Sequence, residues 1–302
     1  MNVYLPIAEM SVNIFVILGL GGITGILSGM FGVGGGFLMT PLLIFIGVPP
    51  TVSVSTVANQ IIASSVSGFV AHWRRDNVDF KIGNYLLIGG MVGSTVGVLL
   101  FRWLKQIGYI DLFISVIYVV FLGMIGALMA GESIRTILKM PKKTTYNEKP
   151  PLAMRLPFKV ECPKSKVTIS IIMPVTIGFF VGIMVSLMGI GGGFFLIPAM
   201  IYLLGMPTGV VIGTSLYQII FITANVTLLQ ALTTQTVDIM LALLLLSGSV
   251  VGAQLGSKIG AKLPGEQLRA MLAALVLGVA IKLAFGLFTP PADIYSVTSF
   301  ND

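Results

Sequence analysis

Apolar residues gather in ten runs along this chain. The first five lie at about 12–29, 34–48, 51–71, 83–101 and 112–130, and the second five at 168–188, 191–205, 209–231, 237–257 and 270–288. A helix crossing a bilayer needs about 20 apolar residues, with a range that starts near 17. Eight runs reach that length. The runs 34–48 and 191–205 hold 15 residues each, roughly 22 Å of helix against a hydrocarbon core of about 30 Å. They are predicted to be half-helices or broken spans. The expected architecture is therefore an all-α, polytopic integral membrane protein with eight to ten membrane segments. Between the two sets lies a polar stretch, 131–166, with nine of the eighteen basic residues and five prolines. It is expected to be a cytoplasmic linker, partly disordered and lying on anionic lipid. The division is a first transmembrane repeat over 1–130, the linker over 131–166, and a second repeat over 167–302.

Both short runs follow a glycine string, and the strings match. Gly32-Val33-Gly34-Gly35-Gly36-Phe37 with Pro41 recurs as Gly189-Ile190-Gly191-Gly192-Gly193-Phe194 with Pro198, shifted by 157 residues. Gly47, Pro49, Thr56 and Gln60 recur as Gly205, Pro207, Thr214 and Gln218, shifted by 158. Val78-Asp79 and the ladder Gly89, Gly93, Gly97 return as Val237-Asp238 and Gly248, Gly252, Gly256, shifted by 159. Glycine at every fourth position lets another helix approach backbone to backbone.

Loop charge relates the two copies. Arg74, Arg75 and Lys81 follow the run 51–71, whereas the matching loop Thr233–Thr236 has no basic residue. Basic loops stay on the cytoplasmic side, so the repeats are expected to be inverted, with both termini outside. Arg102 and Lys105 are the exception to this scheme. No basic segment precedes the first run, as a secretory signal would require, so that run is expected to remain as a span.

Composition sharpens the class. Hydrophobic residues make up 56% and charged residues 10%, where a soluble domain carries about a quarter charged. The formal net charge of +7 sits at the ends of apolar runs as a topology signal, so nucleic acid is not expected as a partner. One cysteine, Cys162, and one histidine, His72, leave no metal cluster, disulfide or cofactor site to be expected. His72, before Trp73-Arg74-Arg75, marks the cytoplasmic interface.

The chemistry points to an anion. Glycine N–H groups at the start of a helix, with the positive helix end behind them, favour negative charge. Gly34, Gly35, Gly36 and Gly191, Gly192, Gly193 are the candidate substrate-binding positions. The following helices add uncharged donors: Thr56, Asn59 and Gln60, and Thr214, Ser215 and Gln218. These groups also serve as interhelical hydrogen-bonding partners in membranes. Lys282, the one charge inside an apolar run, is either an electrostatic attractor or a snorkelling side chain. Every acidic residue lies at a run end or in a loop, so no proton relay or sodium site is expected. With no base inside a span, an intramembrane enzyme using a Ser or Thr nucleophile is not expected, and catalytic residues are none.

At these residues the chain resembles the sulfite exporter TauE/SafE family, also described as the toluene sulfonate uptake permease group. The marks are the two glycine strings with Pro41, Pro49-Pro50 and Thr56, and with Pro198, Pro207 and Gly213-Thr214-Ser215. The resemblance implies a multi-pass inner-membrane transporter of sulfite, thiosulfate or organosulfonates, in either direction depending on the member. Thiosulfate-importing relatives are associated with cysteines along the pathway. Cys162 lies in the linker, so sulfite or an organosulfonate is the expected cargo. Export follows from charge, since a monoanion leaving a negative interior gains about 2.3 kcal/mol per 100 mV. An anion channel, or an importer of another small anion, is the alternative. The partners expected are a small sulfur-containing anion and membrane lipid, with homo-oligomerisation left open.

Overall fold

In the computed structural model, residues 2–31, 36–137, 159–162, 164, 167–260 and 265–288 are described. Each half opens with a short antiparallel hairpin. In the first, β1 (Asn2–Leu5) pairs with β2 (Met10–Asn13); in the second, β3 (Lys159–Cys162) pairs with β4 (Val167–Ser170). The hairpins occupy positions related by the same 157-residue shift as the glycine strings, and the apolar-run reading had not separated them. Among the described residues ten helices follow: α1 (Ile14–Phe31), α2 (Gly36–Phe45), α3 (Pro50–Trp73), α4 (Phe80–Ile107), α5 (Ile110–Ile137), α6 (Ile172–Met188), α7 (Gly193–Tyr202), α8 (Thr208–Thr233), α9 (Ile239–Gly260) and α10 (Gly265–Phe288). The end of α5 and the hairpin strand β3 both fall inside the stretch assigned to the linker, and 138–158 lie outside the described residues.

Of the described residues, four stretches are long and apolar enough to cross a membrane: Phe80–Ile107, Ile110–Ala127, Gly209–Thr233 and Ile239–Gly256. Helices α2 and α7 hold 10 residues each, about 15 Å of rise. They are shorter than the 15-residue runs containing them because each ends in the same glycine stop. Gly47 (φ +99°) and Gly205 (φ +70°) take the left-handed conformation. The following N–H groups reach back, from Val48 to the Leu43 carbonyl at 3.1 Å and from Met206 to the Met200 carbonyl at 3.2 Å. A left-handed glycine with such a return bond ends a helix because only glycine accepts that φ without a Cβ clash. Pro49 and Pro207 then cap α3 and α8.

The halves interlock. Helix α1 packs along α9, and α6 packs along α4; α3 faces α8, and α5 faces α10. Exchanging the halves maps each of these pairings onto another or onto itself. The glycine ladders make the first two pairings close. A methyl at Gly89 or Gly93 would stand 2.0 Å from the carbonyl oxygen of Val175 or Phe179 on α6; one at Gly252 or Gly256 would stand 2.2 or 2.0 Å from that of Gly22 or Ile26 on α1. The first helices answer with glycines of their own, Gly21 and Gly25 on α1 and Gly178 and Gly182 on α6, each against an α9 or α4 carbonyl. Without a hydrophobic driving force between helices in lipid, this close van der Waals packing holds such pairs together.

Candidate functional site

The second glycine break is wholly buried from Met188 to Phe194. Gly189 ends α6 at φ +63°, and Gly191 and Gly192 follow at +77° and +72°. Three left-handed residues within four positions require glycine, since a Cβ there meets the following carbonyl. The turn is partly closed on itself. The Gly193 N–H donates to the Gly191 carbonyl at 2.9 Å, and the Phe195 and Leu196 N–H groups donate to that of Gly192 at 3.1 and 2.8 Å. On α5, the fully buried Tyr118 donates its hydroxyl to the Met188 carbonyl, fixing the end of α6.

Gly34 and Gly35 lie outside the described residues. Gly36, the first residue of α2, is brought against the second break: a methyl there would stand 2.9 Å from the Gly189 carbonyl oxygen and 2.3 Å from Ile61 Cδ1. Ile61 also reaches Gly191, where a methyl would stand 2.7 Å from its Cγ2. Directly beside these contacts the repeat-related rings of Phe37 and Phe194 stack, with centroids 5.0 Å apart and planes 9° from parallel. The two short helices therefore start from a common point, with α3 between them at Ile61.

The polar candidates divide by what they already hold. Thr56 accepts the Asp238 N–H at 3.1 Å, and Thr214 accepts the Asp79 N–H at 3.0 Å. Each threonine thus anchors the start of a long helix in the opposite half. The two aspartates cap those helices: Asp79 accepts from Lys81 and Ile82 N–H, and Asp238 from Leu241 N–H and, across the molecule, from Ile7 N–H in the first hairpin. Ser215 donates back to the Ile212 carbonyl at 2.9 Å.

Asn59, Gln60 and Gln218 are different. Gln218 Nε2 donates to the Leu86 carbonyl at 3.1 Å. Its Oε1, Gln60 Oε1 and Asn59 Nδ2 are buried with no hydrogen-bond partner. Unpaired buried polar atoms are costly and need an explanation such as a ligand or water. Thr40 Oγ1 on α2 and Gln230 Oε1 on α8 are in the same state. Sequence reasoning passed over both, and neither residue recurs in the other half. The repeat sets Ile197 opposite Thr40, at the 157-residue shift, and His72 opposite Gln230, at the 158-residue shift.

Lys282 does not stand at the break. Its Nζ lies 4.4 Å over the Phe45 ring, the last residue of α2, about 14 Å of helix rise from Gly36. Lys105, an exception to the loop-charge scheme, donates to the Thr234 carbonyl at 2.9 Å, the C-cap of α8. A cation at a helix C-terminus is stabilised by the exposed carbonyls, which gives this lysine a local reason for its position. Among the described residues, no three His, Cys, Asp or Glu side chains stand together to hold a metal.

The family described as Sulfite exporter TauE/SafE matches residues 17–283. A probable membrane transporter protein of Bacillus subtilis, YjnA, is 31% identical over 282 residues, covering 91% of this chain and all of that protein. A second from the same organism, YunE, is 28% identical over 82% of this chain and 87% of its own length. Sulfite exporter TauE/SafE family protein 3 of Arabidopsis thaliana is 35% identical over 75 residues, 25% of this chain and 16% of its own. No solved structure matches the chain.

Proposed function

The chain belongs to the sulfite exporter TauE/SafE family of membrane transporters, and on that footing we propose that it carries a small sulfur-containing oxyanion, sulfite or an organosulfonate, out across the inner membrane. The carrier consists of two inverted repeats whose glycine breaks meet at one site. The observation that carries this reading is the convergence of Gly36 and Gly191 on Ile61 beside the Phe37–Phe194 stack. Paired broken helices at the interface of two repeats are where secondary transporters hold their substrate. Two helix starts at one point supply positive potential without a buried charge, and an anion reaches the glycine backbone there once Ile61, which packs on Gly36 and Gly191, moves aside. Asn59, whose Nδ2 donor is unpaired, is the side chain that can complete the shell for an anion; the unpaired atoms of Gln60 and Gln218 are acceptor oxygens, which suit a bridging water rather than the anion itself.

The threonines act one step away. Bonded to Asp238 and Asp79, Thr56 and Thr214 tie the site-bearing helices α3 and α8 to the starts of α9 and α4, so movement of one half is felt by the other. Export needs no coupling ion, because the membrane potential drives a monoanion outward by about 2.3 kcal/mol per 100 mV. Vesicles reconstituted with the protein and loaded in turn with sulfite, sulfoacetate, taurine and thiosulfate test the reading. Saturable movement of sulfite or a sulfonate is expected; no movement of any of the four would overturn it.

A further inference from the structure

The repeat relates two crevices that the structure fills differently. One opens between α3 and α9, with a volume of about 360 Å³, and is lined by Asn59, Ile62, Ala63, Ile239, Leu243 and Leu246 among others. Moving these positions by 158 residues on α3 and 159 on α9 gives Tyr217, Ile220, Phe221, Phe80, Asn84 and Leu87. There the space is taken. The Tyr217 ring covers Gly83, where a methyl would stand 3.0 Å from its Cδ1. Its hydroxyl donates to Asn84 Oδ1 at 2.9 Å. Phe80 meets the ring edge-on at 5.3 Å, with Phe221 at 5.2 Å and Phe69 at 5.8 Å. The contact of α8 with α4 is correspondingly the more extensive of the two. The open crevice has Asn59 in place of the tyrosine, and its Nδ2 is buried without a partner.

We infer that these crevices are the two mouths of one path, that the structure holds the mouth beside Asp238 open and the mouth beside Asp79 shut, and that Tyr217 is the side chain that shuts it. The inference rests on the carrier reading above. Inverted repeats that alternate must differ in conformation at any one time, since the half that opens one side is the image of the half that closes the other. Here the closed mouth lies at the loop carrying Arg74, Arg75 and Lys81, the cytoplasmic side by the positive-inside rule. The open one faces the exterior. Asn59 stands at the open mouth with its Nδ2 donor buried behind the lining; a turn of the side chain would bring that N–H to an oxyanion without a cation in the wall. Opening the inner mouth requires Tyr217 to leave Asn84 and swing off Gly83, so the closure is a latch built from one side chain and its aromatic neighbours.

Thiol labelling reads both mouths without substrate. With the only cysteine removed by Cys162→Ser, Ile62→Cys reports the open crevice and Ile220→Cys its shut image; Ala63→Cys serves as a second reporter of the first should Ile62→Cys not fold. A membrane-impermeant methanethiosulfonate is applied to right-side-out and inverted vesicles. The expected result is modification of the α3 reporter from the outer side, about tenfold faster than Ile220→Cys from either side, as a shift in the populated state dictates. Adding Tyr217→Asn should make Ile220→Cys reactive from the inner side. Equal rates at the two reporters, an α3 reporter that a lipid chain shields from the reagent, or an Ile220→Cys that stays unreactive in Tyr217→Asn would each overturn the inference. Anion flux is measured separately. Labelling as expected with no flux would sink the carrier reading and not the asymmetry, and flux with equal labelling would do the reverse.

Discussion

The two halves of this chain keep the same frame and differ in what they place against it. Hairpin, glycine break, ten-residue helix, left-handed glycine stop, threonine anchor and aspartate cap occur in both, at shifts of 157 to 159 residues. Yet beside the α3 copy there is an open crevice headed by Asn59, and beside the α8 copy Tyr217 packs there with three aromatic rings, Phe69, Phe80 and Phe221. The difference teaches where duplication constrains a chain. The ladder glycines that face a carbonyl of the neighbouring helix, Gly21, Gly25, Gly89 and Gly93, are glycine again at Gly178, Gly182, Gly248 and Gly252, while positions that face the gap between helices diverge.

The largest effect should come from the shared frame. Gly93→Leu and Gly252→Leu each push a side chain into a carbonyl that has no room to move. Both should cost about 3 kcal/mol or more, read as loss of folded protein in a detergent melt. Gly123→Ala and Gly278→Ala, where a methyl meets nothing within 4 Å, should leave the melt unchanged. If only one of the first pair is damaging, the two ladders are not doing the same job. Next come the caps. Asp238→Ala leaves the Ile7 and Leu241 N–H groups without their acceptor and should cost about 1–2 kcal/mol, with faster amide exchange in the first hairpin. Thr56→Val and Thr214→Val should cost about 1 kcal/mol each and to similar extents, because each removes one acceptor of an opposite-half N–H. Unequal melts there would break the symmetry of the frame. The smallest effect is Tyr217→Phe, which removes the Asn84 bond but keeps the ring. It should leave the melt within about 0.5 kcal/mol and raise the rate at which a thiol at position 220 is modified.

Much of the frame was legible because glycine and proline carry their reasons in the chain itself. A glycine string before a run too short to span forecast the second break at Gly189–Gly193, and the four-residue ladders forecast close helix contact. The hairpins were harder to see. Four-residue strands leave too few positions for alternation to stand out, although Leu5-Pro6 and Cys162-Pro163 do match at the 157-residue shift. The candidate site could be proposed from residue types, but the partners of those residues could not be read from the sequence. Nothing local to Thr56 says that Asp238 lies above it, since that bond spans 182 positions. Tyr118 carried no motif, being one tyrosine in an apolar run, and only the fold reveals its hold on the Met188 carbonyl. Lys105 contradicted the loop-charge scheme until the exposed α8 carbonyl supplied its reason.

The most direct test of the central claim is sulfite flux through vesicles carrying either the unaltered chain or Gly192→Ala. A methyl at Gly192 would stand 2.8 Å from the Val181 side chain, on a backbone at φ +72°, which costs about 1–2 kcal/mol and leaves the protein able to fold. If the glycine breaks hold the anion, flux through the unaltered chain saturates with sulfite concentration, and the folded variant loses about tenfold or more, the loss expected for about 1.4 kcal/mol of lost anion stabilisation. Equal saturable flux through both would contradict the account, because the breaks would then be packing elements and the anion would pass elsewhere.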